Sequence, residues 1–492
     1  MKRTVCLFPA GNSLCVAFAA LLALGAAATV THAAASTRPQ QGGTLRVQIS
    51  EHIATIDPRQ WPSAPAEAAA AERLDSLVFD RLVRLDEHGT LQPALAISWQ
   101  HDAQFRRWQF RLRDGVKFSD GSPLTPPVAA MALQQLLGPS FDVSATSDSV
   151  VIQAEHSLPD FPVKLATGRY LIFHTAEDDS LTGTGPFRVA EWPTAGSSAK
   201  AILIANDSCW AGRPFVDKIE LLMGADFQQQ ANAISFGQAD VVELPASQVR
   251  RAAQRGVRTA SSDPVELFAL IFDVTRSAVQ DSRLRQAISL SIDRASIADV
   301  ILQRQGVSAG GLLPNWISGY AHLFPATSDL PRAKELLAAS GRELSRSMPL
   351  VLVYDSGDAE AHVVADRVAV NLREVGIKVQ VSGQMADGKT KPAAADLRLV
   401  RHRIAAPDPA AALSETLNSL AEAAVADMET PEQIYAAERA PIDAFRVIPL
   451  VHVSESYGLS PQVRDWMAPR WGGWKLEDVW LGPPSAAGGN SP

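Results

Sequence analysis

Residues 82–128 read LVRLDEHGTLQPALAISWQHDAQFRRWQFRLRDGVKFSDGSPLTPPV, and this stretch sets the fold. Leu82–Leu85 is a short strand, Asp86-Glu87-His88-Gly89 a polar turn, and Pro93 begins an apolar segment that closes on Trp99. In the next strand Trp108, Phe110 and Leu112 share one face, with Gln109, Arg111 and Arg113 on the other. That is the two-residue period of a half-buried strand. Asp114-Gly115 and Ser119-Asp120-Gly121 turn the chain twice. Thr125 is then placed to cap, through its side-chain oxygen, a helix that opens on Pro126-Pro127.

This order of parts resembles, over about forty positions in register, the signature of the family 5 extracellular solute-binding proteins. These are the oligopeptide-, dipeptide- and nickel-binding components of ATP-binding cassette importers. The resemblance implies an α/β, two-lobed periplasmic-binding-protein-like fold (class II, cluster C) with a small accessory domain. It implies no enzymatic step and no cofactor, and its partners would be a small solute, a membrane permease and ATPase subunits.

Working outward, the chain has 492 residues, 46% of them hydrophobic, enough for more than one core. Lys2 and Arg3, the apolar run Leu14–Val30 and Ala33-Ala34-Ala35 read as a cleavable export signal over 1–35. The alternative is an uncleaved N-terminal anchor. Asn12-Ser13-Leu14 before Cys15 lacks the small residues of a lipoprotein signal. Cys6 and Cys15 would leave with the leader, so Cys209 would be alone and no intrachain disulfide could form. The formal charge of −8 becomes two units more negative without Lys2 and Arg3. With no basic run, nucleic acid is excluded as a partner. A periplasmic monomer is expected.

Further motifs carry the same resemblance. Gly42-Gly43-Thr44 opens a strand, and Ala66–Val78 reads as an amphipathic helix. Gly183-Thr184-Gly185-Pro186-Phe187 precedes a strand rather than a helix, which argues against a phosphate loop. Tyr170–Phe173 is a strand candidate, and Gln228–Phe236 is a helix between two strands of a βαβ-like unit. Leu267–Phe272 is a continuous apolar strand, and Asp293 can cap a helix through Ile301. Pro349–Tyr354, Ala361–Val375 and Ile377–Val381 make the clearest βαβ unit. The segment between Pro409 and Pro441 is shorter than is usual in the family, its helices trimmed or replaced by the Ala/Glu-rich run Ala410–Ala426. By resemblance, lobe I comprises 36–55, 182–270 and 453–481, the accessory domain 56–181 and lobe III 271–452. Residues 482–492 form a disordered tail.

Other chemistries find little support. Gly306-Val307-Ser308-Ala309-Gly310 spells GxSxG, but a nucleophile elbow needs a strand before the serine and a helix after it. Here a helix is expected to precede, and Gly311-Leu312-Leu313-Pro314 follows. The ten histidines show no metal-ligand spacing, and Asp178-Asp179 reads as a solvated loop. The Trp466, Trp471, Trp474 and Trp480 cluster reads as structural packing.

The informative site is ADLRLVRHRIAAPDP, residues 395–409. It resembles the family's cleft strand, in which a tryptophan packs on the ligand and an aspartate pairs with a peptide ammonium. Here those positions hold His402 and Ala405, and only Asp408-Pro409 survives. Where dipeptide binders place a carboxylate-binding arginine, the sequence has His362 and Val363. Both charged anchors for a free dipeptide are missing, so a non-peptide or capped-peptide ligand is expected. Arg401 and Arg403 share one strand face and His402 the other, which suggests an anionic guest. Trp61, Asp273, Trp316 and Tyr354 complete the candidate lining. The second reading is a degenerate paralogue acting as a periplasmic sensor or interaction module without transport; an exported hydrolase is the third.

Overall fold

The computed structural model describes residues 38–62, 65–86, 88–166, 168–176, 179–193, 199–320, 323–340, 348–385, 394–404, 406–422, 428, 430–470 and 473–483. The leader over 1–35 with Cys6 and Cys15, Asp178, Ala405, Trp471, the end of the Ala/Glu-rich run and the tail from 484 lie outside them. No helix of the described residues is long and apolar enough to cross a membrane.

The signature stretch folds as its alternation dictates. Following strand β1 (Thr44–Gln48) and helix α1 (Pro65–Val78), β2 (Val83–Leu85) and β3 (Leu91–Pro93) form a small hairpin. Next, β4 (Ala96–His101), β5 (Arg107–Leu112), β6 (Phe141–Ala145) and β7 (Ser149–Ala154) make a sheet in the order β4-β5-β7-β6, covered by α2 (Pro126–Leu137). Trp108, Phe110 and Leu112 face its core. Thr125 holds the N-cap position without a side-chain bond, unlike the expected cap. Pro126 and Pro127 have no N–H to offer at the first two helical positions, which removes one of the usual acceptor's targets. Tyr170–Phe173 contributes only an isolated bridge between Ile172 and Asp80, not a strand.

Ten further strands join β1 in one eleven-stranded sheet, while His174–Thr175 with Leu181–Thr182 and Val463–Arg464 with Trp480–Leu481 form two small separate ladders. The ten are β8 (Phe187–Glu191), β9 (Lys200–Ala205), β10 (Lys218–Leu222), β11 (Val241–Leu244), β12 (Arg258–Phe272), β13 (Gly306–Ser308), β14 (Leu350–Asp355), β15 (Val379–Gln384), β16 (Leu397–Arg403) and β17 (Val447–Leu459). The order is β8-β9-β10-β1-β11-β17-β12-β16-β14-β15, with β13 on β17. Helix α3 (Phe227–Ser235) carries the chain from β10 over β1 to β11, and both strands pair in parallel with β1. Helix α4 (Ala246–Gln254) precedes β12, and α5 (Ser282–Ser291) and α6 (Leu330–Ala339) follow it. Helix α7 (Ala359–Glu374) is the crossover of the parallel pair β14–β15, as the sequence predicts. Helices α8 (Pro409–Ser419) and α9 (Pro431–Asp443) fill the shortened segment.

Two large apolar cores lie along this sheet. One gathers β1, α1, Tyr457 and Trp474; the other gathers α5, α7, Leu350, Leu352 and the β17 residues Ile448–Val453. The long antiparallel pair β12–β17 runs through both, so opposite ends of each strand feed different cores. Its register shifts on both sides of Pro264. Proline has no N–H for the ladder, so the ribbon is least constrained there.

Two expectations are corrected. Ser308 ends a strand rather than following a helix, and the next helical turn starts only at Asn315. Asp293 caps three α-helical residues, after which Ile297–Ile301 widens into a π-turn. Gly183 and Gly185 have a steric origin: a Cβ there would lie 1.9 Å and 2.8 Å from the Val78 carbonyl oxygen at the end of α1. The motif is a packing device for that helix end, whose carbonyl accepts from the Gly185 N–H at 3.0 Å.

Candidate functional site

Charged side chains gather where the two cores meet, on the face of β12, β16 and β17 turned toward α1. Register explains the placement: Glu266 lies opposite Arg403, and Phe268 opposite Arg401. With a two-residue period, all four share one face and His402 takes the other.

Arg401 is enclosed by acids. Its Nε donates to Glu266 Oε2 at 3.0 Å, and Nη1 donates to Asp358 Oδ2 at 3.1 Å and Glu360 Oε2 at 3.2 Å. Its guanidinium also lies 5.1 Å from the Phe268 ring centroid. Burial pushes the Glu266 and Glu360 carboxyls up, and Arg401 opposes this. Three carboxylates around one guanidinium leave the group net negative, so Arg401 offers no spare charge to an anion. Glu360 also reaches across: its Oε1 accepts from the Ser247 N–H at 3.1 Å, in the first turn of α4. A carboxylate there complements the positive end of that helix.

Arg403 sits one residue pair further along. Its Nε donates to Glu455 Oε1 at 2.7 Å, and the Tyr457 hydroxyl donates to Glu455 Oε2 at 3.0 Å. Burial alone would raise the Glu455 carboxyl; Arg403 and Arg73 outweigh it and hold it at about 2. Arg73, on α1, donates from Nη1 to Glu243 Oε1 at 2.8 Å, and Glu243 Oε2 accepts from Ser50 N–H and Oγ at 2.7 and 2.6 Å. Tyr457, Trp466 and Trp474 pack edge to face beside this row, in agreement with a structural role for the late tryptophans.

His402 points away from the row into an apolar layer, opposite Leu267, whose other neighbour is His452. Burial, with Arg403 nearby, lowers His402 to about 4; burial likewise lowers His452 to about 4. Both are neutral near pH 7. His452 Nε2 donates to the Leu312 carbonyl at 3.0 Å, whereas His402 Nε2 is buried with no hydrogen-bond partner among the described residues.

The other predicted lining residues are scattered. Asp408 caps α8 through the Ala411 N–H at 2.8 Å. Asp273 is an exposed turn residue accepting from Thr275. Trp61 packs beside the first core, and Tyr354 stacks on His362 with centroids 5.0 Å apart. Trp316 donates to the Pro264 carbonyl at 2.8 Å, bracing the irregular point of the ribbon. The residues that sequence reading passed over are Arg73, Glu243, Glu266, Asp358, Glu360 and Glu455. Charges at alternate positions on otherwise apolar strands (Glu266 before Leu267–Phe272, Glu455 after Val447–Val453) were the available signal.

The described residues contain no cluster of three or more histidine, cysteine or acidic groups arranged to hold a metal ion. Pro245, Ser247 and Gln248 at the start of α4, with Val300, Glu360 and Val363, line a groove of about 380 Å³.

Comparison with known proteins agrees with this architecture. The chain is 24% identical over 349 residues to the nickel-binding periplasmic protein of Escherichia coli, covering 63% of this chain and 66% of the relative. It is 22% identical over 335 residues to a probable D,D-dipeptide-binding periplasmic protein of the same organism, covering 62% and 64%. The matched part thus spans slightly under two thirds of these relatives. Among solved structures, NikA from Brucella suis in complex with Fe(III)-EDTA superposes with a TM-score of 0.77 at 19% identity, over 89% of this chain and 100% of that one. The oligopeptide-binding protein AppA from Bacillus subtilis, solved with a nonapeptide, gives 0.71 at 16%, over 91% and 100%. These likenesses show a shared two-lobed fold. The model for bacterial extracellular solute-binding proteins, family 5 middle, matches residues 90–421, and the chain belongs to that family.

Proposed function

We propose that this chain is the solute-binding subunit of an ATP-binding cassette importer. It is exported by its leader to the periplasm, where it captures a small solute between two lobes and hands it to a permease driven by separate ATPase subunits. The lobes correspond to 36–55, 182–270 and 453–481 on one side and 271–452 on the other, with 56–181 as the accessory domain. No bond is made or broken in the solute; the work is enclosure and release.

The observation that carries this reading is the ionic row between two separate cores. Arg73 and Glu243 belong to one side, Arg401, Arg403, Asp358 and Glu360 to the other, and the β12–β17 ribbon joins them. Polar groups at a hinged seam are what a closing binding protein needs: they orient a guest and change partners as the halves approach. The missing peptide anchors make a free dipeptide a poor guest. Native mass spectrometry of protein released from its own periplasm tests the reading. A stoichiometric small molecule is expected, and protein that is consistently empty when freshly released would contradict it.

A further inference from the structure

We infer that Arg403 is a specificity-determining residue of the interlobe site, and that its Nη1–Nη2 edge receives a carboxylate of the solute. This rests on the solute-binding reading above.

Arg403 carries an unmatched donor edge. The Arg403 side chain is 7% exposed. Nε is bonded to Glu455, but Nη1 and Nη2 are both buried and have no hydrogen-bond partner among the described residues. Other buried arginines in this fold are treated differently. Arg285 donates to the carbonyls of Phe445, Val279, Gln280 and Ala444, and Arg294 to Pro449, Ser289 and the Ser289 hydroxyl. Those side chains are structural, with every nitrogen bonded. Arg403 is held in place by one nitrogen while two donors remain bare, an arrangement that folding alone does not favour.

The groups around it are already engaged. Glu455 takes Nε and the Tyr457 hydroxyl. Arg73 is bonded to Glu243, and Glu72 Oε1 accepts from the Gly168 N–H at 3.2 Å. Glu415, on α8, is exposed to solvent. The bare edge is donor-only, planar and two-pronged, which matches the two oxygens of a carboxylate. A cation is excluded by the guanidinium itself, and a doubly charged phosphate is disfavoured by Glu455 and Glu72, whose charges already act on Arg403.

Location makes this contact sensitive to closure. Glu72 and Arg73 lie on α1, which packs in one core, while Arg403 ends β16 and α8 belongs with the other half. Bringing the halves together without a guest buries two charged donors unmatched; a guest carboxylate removes that obstacle. The solute would therefore favour the closed form through Arg403.

The test uses the full exported protein and the solute it retains. The solute is released, identified by accurate mass, and rebound by the stripped wild type, R403Q and R403K, alongside its methyl ester. The expected result is a solute bearing a carboxylate whose rebinding weakens at least about tenfold in R403Q, equivalent to ~1.4 kcal/mol. R403K should fall between, and the ester should bind the wild type correspondingly poorly. A solute with no carboxylate, an ester that rebinds as well as the acid, or undiminished binding by R403Q overturns the Arg403 assignment and leaves the solute-binding reading standing. Freshly released protein that carries no solute overturns both. The ester comparison needs only wild-type protein, so it decides even if R403Q fails to fold.

Discussion

His402 stands where the family resemblance places a ligand-packing tryptophan, yet it faces the apolar layer beside Leu267 and His452. That orientation has a measurable cost in acid. The folded imidazole titrates at about 4, against about 6.5 in an unfolded chain. Its folded value is depressed, so between those limits the unfolded state binds more protons and stability falls as pH falls. From pH 7 to pH 5 the expected loss is about 2 kcal/mol for this one group. Because Nε2 has no partner among the described residues, H402L breaks no bond seen at that atom, and leucine suits the surroundings. The variant should be as stable as wild type at pH 7 or more so, and should lose about 2 kcal/mol less on going to pH 5. Urea denaturation at each pH supplies both curves. Taking their difference cancels the contributions of His452 and of Glu266, Glu360 and Glu438, whose buried carboxyls are pushed up and act in the opposite sense. Parallel curves for the two proteins would refute the inward placement of His402 and would return it to the cleft.

Other outcomes follow from single contacts. G183A should cost about 3 kcal/mol or more, or prevent folding, since its methyl group would collide with the Val78 carbonyl; thermal melting of the purified variant checks this. D408A removes the α8 cap at Ala411 and should cost about 1 kcal/mol in urea denaturation, with solute retention preserved. E360A strips the Ser247 N–H of its partner and Arg401 of one of three acids. It should cost about 1–3 kcal/mol, whereas E360Q, which can still accept from Ser247, should cost less; a full loss in E360Q would contradict the helix-end role.

Much of the architecture could be read from local rules. The signature strands and the β14–α7–β15 crossover depend on alternation and helical spacing, both local properties. The two-residue period also placed Arg401 and Arg403 on a common face. What it could not supply was their partners. Glu266, Asp358 and Glu360 reach Arg401 from a neighbouring strand and from the first turn of a helix after a parallel strand, and Glu455 reaches Arg403 across the ribbon. Charge pairing over more than forty residues of chain is a product of topology. So two arginines separated by one residue that look equivalent in sequence differ in the fold: one is surrounded by three acids, the other has two nitrogens without a partner among the described residues.

Closure around a solute would change a distance across the seam. Gln228 on α3 and Asp366 on α7 are exposed, on helices that pack in different apolar clusters, and Cys209 is the free cysteine among the described residues to be removed from the background. Spin labels on Q228C and D366C in a C209S protein, measured by double electron–electron resonance, report the separation as purified and after stripping. A single shorter distance with solute bound, lengthening or broadening once it is removed and recovering when it is returned, is the predicted result. An identical distribution in all three states would contradict closure around a solute.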